Sequence, residues 1–208
     1  MSDPTPSRRA LVLDPAGTAT ARAIAERLAS AGHDVRTAVD TPAAMAGPLD
    51  ALVYEPGLLD DDVSGRPAEQ LLAAIDQLGP HLRSRKDGGC RVVVVASRDG
   101  LGWPSRPDLA AESGALVSTA RSLALKLGRS GITVNVVAAL PPEGSPLRDS
   151  GRPENTHLYE PEALTPHPVT AQDIAETAAF LADARSGYVT GQVLYVCGGA
   201  SLLSSLSV

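Results

Sequence analysis

The chain alternates short, unbroken apolar runs with longer stretches in which apolar residues recur every three or four positions. Runs of the first kind read as strands buried on both faces, and stretches of the second kind as amphipathic helices. Residues 9–13, closed by Asp14 and Pro15, form the first predicted strand. The helix that follows, 18–30, carries Ile24 and Leu28 one turn apart and stops at Ala31 and Gly32. A strand over 34–38 comes next, and strand, helix and strand in so short a span make a βαβ unit with parallel strands. Further strands are predicted at 49–54, 91–96, 132–137 and 193–197. Of these, 91–96 is the clearest, because its valines have no polar alternation.

Between those strands lie three more helical patterns. Pro67 sits at a first helical position, and Leu71, Ile75, Leu78 and Leu82 mark one face of a helix over 67–86, with Pro80 expected to kink it. Leu116, Ala120, Leu123 and Leu127 define a helix over 107–128. Thr170 and Asp173 have the spacing of a capping box before Ile174, Ala178 and Leu181. Six strands alternating with helices predict the α/β class, a Rossmann-like doubly wound parallel sheet. Length and pattern assign residues 1–208 to a single domain. The stretch 139–168 has seven prolines and no periodicity, so it is expected to be a lid or binding loop.

Composition narrows the picture. Only 3% of residues are aromatic while 43% are hydrophobic, so the core must be built from Ala, Val and Leu. A net charge of −6 without a long basic run argues against nucleic acid as a partner. The one basic cluster, 82–86, reads as cations at a helix C-terminus. No run of 18 apolar residues and no signal-peptide core occur, so no membrane partner and a cytoplasmic location are expected. Cys90 and Cys197 lack metal-ligand spacing and are expected to be buried. The acidic run Asp60, Asp61 and Asp62 has oxygen ligands for a hard cation but also the character of a solvated loop tip, and no metal is expected.

Segments 22–28, 79–83, 91–97, 119–124, 131–135 and 188–193, in this order, resemble the short-chain dehydrogenases/reductases, particularly their bacterial ketoreductase branch. The resemblance covers most of the chain. It implies a nicotinamide cofactor on a glycine-rich turn after the first strand, and a Ser/Tyr/Lys active site in which Tyr donates a proton. The matching positions depart from that pattern. Asp14, Pro15, Ala16, Gly17, Thr18, Ala19, Thr20 and Ala21 replace the glycine-rich turn, leaving only Gly17, itself readable as an ordinary turn residue. An alanine methyl obstructs the approach of backbone to pyrophosphate, and the Asp14 charge opposes it.

The two lysines, Lys86 and Lys126, are preceded four residues earlier by Leu82 and Ser122, so no Tyr-x-x-x-Lys exists. On the family register Leu109 stands at the Tyr position and Ser113 at the Lys position. Leucine exchanges no proton, and serine supplies no cation to lower a phenol's pKa. Ser97 is the surviving triad candidate, with a strand-end hydrogen-bonding role as the plainer reading. Tyr54, Glu55, Pro56 and Gly57 replace the family's Asn-Asn-Ala-Gly. Between 38 and 49 a βα unit expected to flank adenine is missing, which makes the fold one unit shorter than the family norm.

The well-matched helices 67–86 and 107–128, the helix near 170–183 and the strand 193–197 are those that build subunit interfaces in the family. Gly114, Ser118 and Ser122 form a small-residue stripe that fits close helix approach, either to a partner or to a neighbouring helix of the same chain. The expectation is a catalytically degenerate subunit without NAD or NADP, in a dimer or tetramer with an active paralogue. Two alternatives stay open. One is a non-redox enzyme (cyclase, dehydratase or isomerase) using Trp103 and the loop residues His157, Tyr159, Glu160, Glu162 and His167. The other is an NAD(P)-dependent ketoreductase with an unusual cofactor pose.

Overall fold

The computed structural model describes residues 8–41, 47–60, 63, 65–103, 106–148 and 163–203. Six parallel strands form one sheet: β1 (Arg8–Leu13), β2 (His33–Ala38), β3 (Ala51–Tyr54), β4 (Cys90–Ser97), β5 (Ile132–Ala139) and β6 (Val193–Val196). Their order is β2-β1-β3-β4-β5-β6. The chain therefore leaves β1 for one edge and then crosses back to build the other side, which puts the topological switch between β1 and β3. β4 and β5 pair in register from Cys90 opposite Ile132 to Ser97 opposite Ala139, and every residue of both is buried. Burial on both faces favours apolar side chains, which explains the valine run, with Arg91, Ser97, Thr133 and Asn135 as the buried polar exceptions.

Helices cover both faces. α2 (Pro67–Leu78) and α3 (Pro107–Leu127) place Leu71, Ile75, Leu116 and Leu123 against Leu11, Leu52, Val92 and Val94. α1 (Ala19–Ser30) and α4 (Ala171–Ala182) place Ile24, Leu28, Ile174 and Leu181 against Ala10, Val12, Val93 and Val95 on the other face. A short α5 (Ala200–Leu203), which the periodicity did not predict, follows β6. The expected capping box is present: the Asp173 amide donates to Thr170 Oγ1 at 3.2 Å, and the Thr170 amide donates to Asp173 Oδ2 at 2.8 Å.

Three boundaries differ from expectation. The helix expected over 67–86 ends at Leu78, and a 3-10 turn (Gly79–His81) replaces the kink at Pro80. Proline has no amide to continue the ladder, so the chain turns out and Leu82 pairs with Leu49 as an isolated parallel bridge. The basic cluster is consequently not a helix terminus: Arg83 pairs with Asp50 at 2.8 Å, and Arg85 and Lys86 open a separate 3-10 turn. Gly131 allows β5 to begin beside that turn, since its φ is +82° and an added Cβ would lie 2.6 Å from Arg85 Cα. Finally, β5 continues through Ala139, so the irregular segment starts one residue later than expected, and its residues 149–162 lie outside the described ones.

Replacing Thr170 with Ala removes the hydroxyl that accepts the Asp173 amide and leaves the backbone half of the capping box in place. We expect urea unfolding to show a loss of about 1 kcal/mol, with an unchanged denaturant slope.

Candidate functional site at the carboxyl ends of the strands

In open α/β sheets the crevice at the topological switch, outside the strands' carboxyl ends, is where ligands bind. Here that crevice lies between the end of β1, at Asp14, and the end of β3, at Glu55. Asp14 is buried, and its Oδ1 accepts hydrogen bonds from the Gly17 amide at 2.9 Å and the Thr18 amide at 3.1 Å. Gly17 makes this tight turn with a φ of +71°. Thr18 is the N-cap of α1: its hydroxyl accepts from the Ala21 amide at 3.0 Å and donates to Glu55 Oε2 at 2.6 Å. Glu55, fully buried, takes the Gly57 amide on its other oxygen at 3.2 Å.

A carboxylate thus sits on the amides of the turn that leads into α1. Burial raises the Glu55 carboxyl from an ordinary 4.5 to about 7; the Asp14 and Asp60 charges add to the rise, while the Thr18 hydroxyl and the Gly57 amide oppose it. Burial likewise pushes up the Tyr54 phenol, whose OH donates to Gln70 Oε1 at 2.8 Å. A dinucleotide pyrophosphate does not fit this arrangement. Its oxygens would have to displace Asp14 from the turn amides while facing a second buried carboxyl, and like charges at such range repel strongly.

Of the residues that the family resemblance sets at the active-site positions, Ser97 and Ser113 meet. Ser97 ends β4 and is buried; its amide donates to Ser113 Oγ at 3.1 Å, and its Oγ accepts from the Asp99 amide at 3.1 Å. Ser113, also buried, therefore satisfies a strand end. Leu109 packs, partly buried, against the core under α2 and α3. Ser97 also borders an open groove of about 270 Å³ with Arg98, Gly114, Ser118, Arg121 and Tyr195. Trp103 is not part of that groove; the Arg98 guanidinium stacks over its ring at 5.2 Å. Asp99, fully buried, pairs with Arg106 at 2.8 Å, and Arg106 also donates to the Leu147 carbonyl at 3.2 Å, so this network ties the turn after β4 to the start of the irregular segment.

Several expected residues stand elsewhere. His157, Tyr159, Glu160 and Glu162 lie outside the described residues, as do Asp61 and Asp62, while His167 is exposed. Among the described residues no cluster of three or more His, Cys, Asp or Glu could hold a metal. Cys90 and Cys197 are buried, and burial pushes the Cys90 thiol up to about 12. Sequence reasoning placed Glu55 only as a departure from the family pattern. The signal for its role was an acidic residue directly ending an apolar run.

A family model described as enoyl-(acyl carrier protein) reductase matches residues 33–201. The chain belongs to the short-chain dehydrogenase/reductase family. Among its relatives is the subunit BbsC of (2S)-[(R)-hydroxy(phenyl)methyl]succinyl-CoA dehydrogenase from Thauera aromatica, 33% identical over 91% of this chain and 78% of the relative. The subunit BbsD of the same enzyme is 40% identical over 60% of this chain; the match spans 49% of that relative, about half its length. A solved short-chain dehydrogenase/reductase from Serratia marcescens superposes with a TM-score of 0.69 at 21% identity, covering 93% of this chain and 98% of that one. A dehydrogenase/reductase from Sinorhizobium meliloti gives 0.69 at 23% identity, covering 93% and 94%. These two structures share the fold.

Glu55 has a folded pKa above its unfolded value, so its neutral form favours the native state. The associated stability is complete below about pH 4.5 and is lost as pH rises through about 7. Glu55→Gln, which stays neutral, should therefore match the parent near pH 5 and exceed it by up to roughly 3 kcal/mol at pH 8 in urea unfolding. A pH-independent difference between the two would refute the assignment.

Proposed function

We propose that this chain is a catalytically silent short-chain dehydrogenase/reductase subunit, which assembles with an active paralogue that carries the redox chemistry. The observation that carries the reading is the Asp14 carboxylate bonded to the Gly17 and Thr18 amides, in the place a cofactor phosphate needs. With Leu109 and Ser113 at the family's Tyr and Lys positions, neither the proton donor nor the cation of the family's chemistry is available. NAD and NADP are accordingly not its cofactors.

Retained outer surfaces support the assembly half of the reading. Along α3, Ser118 and Ser122 are exposed and Leu125 is 87% exposed. Gly114, the first member of the small-residue stripe, instead sits against the turn that holds Gly100, so the chain's own structure uses only that end of the stripe. Leu72 on α2 and Tyr195 on the edge strand β6 are 43% and 42% exposed. Large apolar side chains beside small residues are characteristic of surfaces that another subunit covers. That two of its relatives are different subunits of one dehydrogenase fits the same picture.

Purified alone, the chain should leave NADH and NADPH fluorescence and calorimetric heats unchanged at millimolar cofactor. Co-expressed with a paralogue encoded beside it, it should elute as one complex. Leu125→Arg changes an exposed position, so its melting temperature should match the parent while co-elution is lost. Saturable cofactor binding by the single chain would overturn the silent-subunit reading, and unchanged co-elution of the variant would overturn the α3 surface.

A further inference from the structure

We draw no further inference here: the strongest candidate, the groove of about 860 Å³ between α1 and α4 at the amino ends of the strands, carries nothing, because its carboxylates Glu176 and Asp183 are already paired with Arg27 and Arg185, the unpartnered Nε2 of His33 is itself buried, and nothing in the structure shows what covers it.

Discussion

A parallel sheet covered on both faces sends all its strand ends of one polarity to a single rim, and the helix amides that start at that rim must find acceptors. In this protein the amides of the turn that leads into α1, Gly17 and Thr18, find theirs in Asp14, and the Ala21 amide inside α1 finds its own in the Thr18 hydroxyl. The rest of the rim follows from that choice. Thr18, capping α1, is free to donate to Glu55, and Glu55 closes the crevice between β1 and β3 with a carboxyl that burial raises to about 7. An acceptor supplied from within the chain makes the turn stable without a bound anion. The same acceptor raises the electrostatic cost of admitting one.

The second half of the rim has undergone a parallel change. Where the family resemblance implies a proton donor and a cation, Leu109 joins the apolar core and Ser113 satisfies the end of β4. Ser97 is kept, but its hydroxyl holds the following turn through Asp99. The hydroxyls of Ser97 and Ser113 at this rim both accept backbone amides.

The alternation of periods along the chain was enough to determine the α/β class, all six strands and the four long helices, because burial on two faces or on one stripe leaves an unmistakable spacing of Val, Leu and Ile. The absence of Tyr-x-x-x-Lys and the loss of turn glycines were likewise visible without coordinates, since they depend on residue identity alone. What spacing could not express was which polar atoms meet. Asp14 read only as an obstacle to phosphate, while its role as the acceptor for two amides, and the 37-residue separation between Thr18 and Glu55, exist only once β1 and β3 lie side by side. The end of α2 at Leu78 and the exposure of Ser118 and Ser122 were decided in the same way. The pairing of Leu82 with Leu49 depends on the position of a strand far away in sequence, and exposure on what the remainder of the fold left uncovered. Hydrophobic order is a local property of the sequence, whereas hydrogen-bond partnership and surface are properties of the assembled chain.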